Sequence, residues 1–155
     1  MTKIYLAGSC SIEQRTVMKK IAERLRSHKD VEVYCPFELK IENAWDITQE
    51  EWSQKVFNED TRAIREADAV ILITPGREST AGTNWEQGFA YALGKKIYVL
   101  QTTDKATSLM TYCGCNLFFN VESERHLFSL IDSILYIIND TSVNYLKGSC
   151  ATTLT

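Results

Sequence analysis

Glu86 and Asp60 are the two side chains whose sequence surroundings suggest chemistry. Glu86 follows an unbroken apolar run, Ala69-Val-Ile-Leu-Ile73, and a polar loop that opens with Pro75-Gly76. It lies near the start of a segment with helical spacing (Trp85, Phe89, Ala92, Leu93). Such a run reads as a strand buried on both faces. In an open parallel sheet, the loops at the carboxyl ends of the strands form the crevice where ligands bind. Glu86 also has a purely local explanation. Thr83-Asn-Trp-Glu86 reads as a capping box, in which Thr83 caps the helix and Glu86 reaches back to the capping residue. Ser11-Ile-Glu-Gln14 and Thr48-Gln-Glu-Glu51 share that pattern with no suggestion of chemistry. Asp60 falls on a stripe with Trp52, Val56 and Ile64, in a helix expected from Thr48 to about Ala67. A carboxylate on a face turned to the sheet is costly unless it is hydrogen-bonded or functional. Arg62 and Arg65 are close enough in sequence to pair with it.

The elements that must position these groups alternate along the chain. Strands are expected at Lys3–Ala7, Val31–Tyr34, Ala69–Ile73, Lys96–Leu100 and Leu117–Asn120. Helices are expected after the caps Ser11, Thr48, Thr83 and Ser123, with a helical turn around Leu109-Met110. Gly94 should stop the third of these helices, with Lys95-Lys96 at its carbonyl end. In the last helix Leu127, Leu130, Ile131, Ile134, Leu135 and Ile138 form the apolar face. Residues 36–47, carrying Phe37 and Trp45, make a loop that is either a binding element or a surface excursion with its aromatics packed down. This alternation implies right-handed crossovers and an α/β fold. The expected architecture is a single-domain, flavodoxin-like, three-layer sandwich with a five-stranded parallel sheet in the order 2-1-3-4-5. Gly8-Ser9 and the loop from Thr74 to Glu86 then flank one crevice. Residues 1–138 form the domain and 139–155 a polar tail, mobile or docked on a neighbour.

Composition narrows the function classes. The 155 residues are 45% hydrophobic and 24% charged, as in soluble globular domains. A net charge of −3 without a basic stripe leaves no footprint for a nucleic-acid polymer. No run approaches a membrane span, and the expected location is cytoplasmic. Five cysteines and two histidines are unevenly spaced, so no metal site is expected. No dinucleotide fingerprint or P-loop is present, and no cofactor is expected.

Three motifs in order carry a resemblance: Ile4-Tyr-Leu-Ala-Gly8; Asp60 with Ile64 and Ala67-Asp68; and Gly82-Thr-x-x-Glu86-x-Gly88-x-Ala90-x-Ala92-Leu-Gly94. Over residues 3 to 120 the chain resembles the nucleoside 2-deoxyribosyltransferase family. Such enzymes cleave the N-glycosidic bond of 2′-deoxynucleosides and pass the sugar to another base, or to water in the related 5′-monophosphate N-hydrolases. The resemblance implies Glu86 as nucleophile, Tyr5 orienting it, and Asp60 handling or anchoring the departing base. A helix N-terminus would keep Glu86 ionised. It also implies substrate contacts from Gly8, Ser9, Thr80 and Gly82, with Ser108 and Met110 reaching the crevice of a neighbouring subunit. A homodimer or larger homo-oligomer with shared sites follows, its interface using Leu109, Tyr112 and the Leu117-Phe-Phe119 run.

The departures bear on substrate. Transferases of this family carry an aspartate six residues before the nucleophile, where this chain has Thr80. The hydrolases carry hydroxyl side chains there, after the first strand and on the neighbour's loop, as Thr80, Ser9 and Ser108 do here. Against them, the Gly-Gly pair after the first strand is missing and Pro75–Ser79 is extra. Free nucleoside and 5′-monophosphate both stay open, as do base and water as acceptors. A non-catalytic nucleotide sensor and a flavin-binding protein are the alternatives from other classes.

Overall fold

The computed structural model describes residues 1–140; the expected tail lies outside the described residues except for its first two positions. The elements follow in the order β1 (Thr2–Gly8), α1 (Ile12–Arg26), β2 (Val31–Tyr34), α2 (Gln49–Glu66), β3 (Ala69–Thr74), α3 (Ala81–Ala92), β4 (Lys96–Gln101), α4 (Leu109–Cys113), β5 (Leu117–Asn120) and α5 (Glu124–Asn139). The strands pair in parallel in the order β2-β1-β3-β4-β5, the flavodoxin-like order the alternation implies.

The apolar runs are continuous because helices cover both faces of the sheet. Every residue of β3 is buried. Its Ile71 and Ile73 face α1 and α5, packing with Met18, Ile21, Leu25, Ile131 and Ile134. Its Val70 and Leu72 face the other layer with Tyr5, Ala63, Ile64 and Ala90. Small residues on α2 and α3 let those helices lie close to the sheet on the Tyr5 side. Tyr5 is paired in register with Tyr34 across β1 and β2. All six expected apolar positions of α5 are buried.

Helix ends decide where side chains point. Thr48 and Glu51 form a complete capping box on α2. Ser11 caps α1, but the Gln14 amide turns away to Thr102 instead of closing a box. In α3 the expectation fails. Its cap is Thr80, three residues earlier, with Thr80 Oγ1 accepting from the Thr83 N–H and sharing a 2.8 Å hydrogen bond with Thr83 Oγ1. Thr83 is thereby buried inside the helix. Gly94 ends it with φ 72°, a left-handed conformation suited to glycine. The Lys95 ammonium reaches the last carbonyls of α2, including Ala67 O at 2.8 Å, rather than those of α3. Residues 36–47 include a 3-10 turn at Pro36–Glu38; Phe37 packs on the core while Trp45 is 89% exposed. Among the described residues no helix is long and apolar enough to cross a membrane.

Candidate active site

The later start of α3 in the sequence reading put Glu86 in the first turn. The true cap moves it to the second, where it faces the space between α2 and α3. There a cleft of about 450 Å³ is lined by Trp52, Val56, Phe57, Asp60, Gly82, Trp85 and Glu86. Its aromatic wall is continuous: Phe57 and Trp85 ring centroids are 5.4 Å apart, and Trp85 stacks on Phe89 at 5.1 Å. Of the aromatic positions on α3, Trp85 lines the cleft while Phe89 stacks on it and packs against the core; the residues α3 buries fully are Thr83, Gln87 and Ala90.

Tyr5 stands beneath the cleft on β1, fully buried, and donates its hydroxyl to Glu86 Oε1 at 2.7 Å. The other oxygen, Glu86 Oε2, is buried with no hydrogen-bond partner. A carboxylate so placed resists ionisation. Burial pushes Glu86 up to about 7, against the pull of the Tyr5 hydrogen bond, and the Asp60 charge adds to the rise. Glu86 lies beyond the first turn, where the field of the helix N-terminus has faded, and burial sets the direction of its shift. Burial and the Glu86 charge hold the Tyr5 phenol far above its usual range, so it serves as a donor and not as a base.

Asp60 makes no ion pair with Arg62 or Arg65. Arg62 is taken by Glu59 at 2.6 Å and Glu66 at 3.0 Å, and Arg65 lies over the Phe89 ring at 5.0 Å. Asp60 instead accepts a 2.7 Å hydrogen bond from Tyr34. Burial raises its carboxyl above the ordinary range, the Tyr34 hydrogen bond lowers it, and the neighbouring Glu59 raises it. In sequence, Val-Glu-Val-Tyr34 reads simply as a strand and carries no sign of this contact.

The remaining expected residues divide. Gly82 lines the cleft, and a Cβ there would meet nothing within 4 Å. Gly8 has a packing reason: a Cβ would come within 2.7 Å of Met18 Sδ. Ser9 lies at the carboxyl end of β1, where its Oγ accepts from the Ser11 N–H at 3.2 Å. Thr80 is occupied as the cap of α3. Pro75–Ser79 is tied to the loop after β4 by Arg77 N–H to Ala106 O at 2.9 Å and Thr103 Oγ1 to Pro75 O at 2.9 Å. Ser108 and Met110 are not brought to the Glu86 cleft. They line a groove of about 370 Å³ on the opposite side of α3, with Asn84, Gln87, Gly88 and Tyr91. Of the expected interface, Leu109 is 74% exposed, with Met110 beside it at 80%, but Leu117, Phe118 and Phe119 are buried in the core and Tyr112 packs edge-on against Phe118.

A buried carboxylate with one oxygen held and the other unengaged can attack an electron-poor carbon, beside a second carboxylate able to carry a proton. Residues 4–133 match the family model described as nucleoside 2-deoxyribosyltransferase. Among solved structures, a 2-deoxyribosyltransferase from Bacillus psychrosaccharolyticus is 27% identical with a TM-score of 0.66, over 84% of this chain and 96% of that one. A CMP N-glycosidase from Clostridium botulinum (21% identity, TM-score 0.60, 84% and 99% coverage) has the same fold. So does a conserved protein from Enterococcus faecalis (22%, TM-score 0.64, 86% and 99%). Comparison with curated protein sequences finds no match.

Proposed function

The chain belongs to the nucleoside 2-deoxyribosyltransferase family, and on that premise we propose that it cleaves the N-glycosidic bond of 2′-deoxynucleosides or their 5′-monophosphates with retention at C1′. The observation that carries this reading is Glu86, with Oε1 held by Tyr5 and Oε2 buried and unpartnered at the cleft. Glu86 Oε2 attacks C1′ as the C1′–N bond breaks, the bond's electron pair leaving with the base. In the reactive form Glu86 is ionised and the proton sits on Asp60; Asp60 gives it to that base and takes one back from the incoming acceptor, a second base or water, whose attack on C1′ frees Glu86. The covalent route splits one oxocarbenium-like displacement into two. Tyr5 keeps the Glu86 carboxylate oriented throughout, and the aromatic wall offers flat surfaces for a base.

A second reading, hydrolysis of 5′-monophosphates alone, is favoured by Thr80. A neutral hydroxyl at the cap of α3 leaves a helix N-terminus, with its free N–H groups, hospitable to an anion. Ser9 and a neighbour's Ser108 are the further donors under this reading. Exposed Leu109 and Met110 beside the groove favour a working unit of at least two copies, Ser108 and Met110 entering a partner's cleft.

Panels of deoxynucleosides and deoxynucleotides, with and without a second free base, test the reading by chromatography. Base release together with a deoxyribosyl adduct on the Glu86 peptide by mass spectrometry is the expected result. Binding without release would make the chain a nucleotide sensor. Light scattering checks the assembly, and a monomer that releases base would remove the shared-site component.

A further inference from the structure

Asp60 is held by a group outside every motif that carries the family resemblance. Tyr34, the last residue of β2, donates its hydroxyl to Asp60 Oδ1 at 2.7 Å. Its ring lies flat on Tyr5, with centroids 5.4 Å apart and 13° between planes. The strand register produces that stack, since the two residues are direct neighbours on β1 and β2. Two phenol–carboxylate pairs, Tyr5 with Glu86 and Tyr34 with Asp60, therefore stand side by side at the cleft. The stack restrains the Tyr34 ring, so its hydroxyl selects which Asp60 oxygen is occupied.

We propose that Tyr34 is a positioning residue of the reaction: its hydroxyl on Oδ1 aims Asp60 Oδ2 at the departing base and sets the pH at which that oxygen carries a proton. The proposal rests on the role given to Asp60 above. The groups facing Asp60 are Tyr34 from β2, Tyr5 from β1, Glu86 from α3 and Glu59 beside it on α2. Arg62, the nearby cation, is engaged by Glu59 and Glu66. Burial and the Glu59 charge favour the protonated form, and the Tyr34 hydrogen bond opposes them. A hydrogen bond to the charged form is the device that keeps such a carboxyl titrating in a usable range.

Tyr34→Phe deletes the hydroxyl and keeps the stacked ring. Carbon-13 NMR titration of the Asp60 carboxyl should show its midpoint rising by about one pH unit in this variant. In the pH profile of kcat/KM, the limb lost in Asp60→Asn should move up by a similar amount in Tyr34→Phe. At the parent's optimum, kcat/KM should fall about tenfold, and Tyr34→Phe added to Asp60→Asn should cost no further loss beyond about twofold. An unmoved Asp60 titration, or losses that multiply in the double variant, would overturn the proposal. A profile changed by Asp60→Asn but not by Tyr34→Phe would sink it alone. A profile untouched by Asp60→Asn would sink the role of Asp60 itself, and this proposal with it.

Discussion

The starts of α2 and α3 read alike in sequence, Thr48-Gln-Glu-Glu51 and Thr83-Asn-Trp-Glu86, and differ in every physical respect. At α2 the pattern is a true capping box: Glu51 is exposed, and its hydrogen bonds from the Thr48 backbone and side chain hold it below the ordinary carboxylate range. At α3 another threonine, Thr80, takes the cap, and Glu86 is carried into the second turn above the sheet. Burial then drives it up to about 7. One glutamate strengthens its helix by being charged; the other is charged at a cost to the fold. Local pattern cannot separate them, because what differs is the neighbour on the other side: water for Glu51, Tyr5 and the cleft for Glu86.

Substitutions can break this comparison or sharpen it. The largest effect is expected for Glu86→Ala, with kcat/KM for base release lower by about 10³-fold or more while circular dichroism is unchanged. Turnover within about tenfold of the parent would remove the nucleophile assignment. Thr80→Asp comes next. Aspartate caps a helix as well as threonine, so α3 should persist. The added charge should lower kcat/KM for a 5′-monophosphate by about tenfold through like-charge repulsion, and spare the free nucleoside. Equal losses on both substrates would argue against a phosphate near position 80.

Glu86→Gln tests the cost of the charge by urea denaturation across pH. Glu86 titrates near 7 in the native state and near its ordinary 4.5 unfolded, so between these values the native state binds more protons. The parent should lose stability as pH rises through that window and remain lower above it. The glutamine variant lacks this loss, and its advantage should grow from about zero near pH 4 to on the order of 2 kcal/mol near pH 8. A constant difference across the range would contradict the raised titration. Glu51→Ala should show the smallest effect with the opposite sign. A carboxylate lowered in the native state stabilises above its unfolded pKa and loses that contribution as pH falls. A slightly reduced denaturation midpoint at neutral pH, closing in acid with turnover untouched, is expected.

The sheet was legible because each strand is a compact apolar run with clear stops, and the parallel order follows from the alternation. β2 and β5 match their expected bounds, β3 and β4 run one residue further, and β1 extends by one residue at each end. The start of α3 was not legible, since Thr80 and Thr83 are equally good caps and Ala81-Gly82 between them gives no strong preference. Asp60 was visible as a charge on an apolar stripe, but its partner was not. Tyr34 lies 26 positions away on an unremarkable strand, and only the sheet brings the two together. The motif Ser108-Leu-Met110 was visible, while its place on the far side of α3 required the fold.

The pairing of Tyr5 with Tyr34 in register has a consequence for how this sequence can change over generations. Strand side chains alternate faces, so a one-residue slip of β2 against β1 would send Tyr34 to the other side of the sheet and set Cys35 or Val33 beside Tyr5. The turn between α1 and β2 can therefore change in sequence where its backbone allows, Asp30 at φ 66° being the constrained position, yet an insertion or deletion that its few residues failed to absorb would strip Asp60 of its hydrogen bond. At that turn, lineages that keep the cleft should vary in residue identity far more than in length.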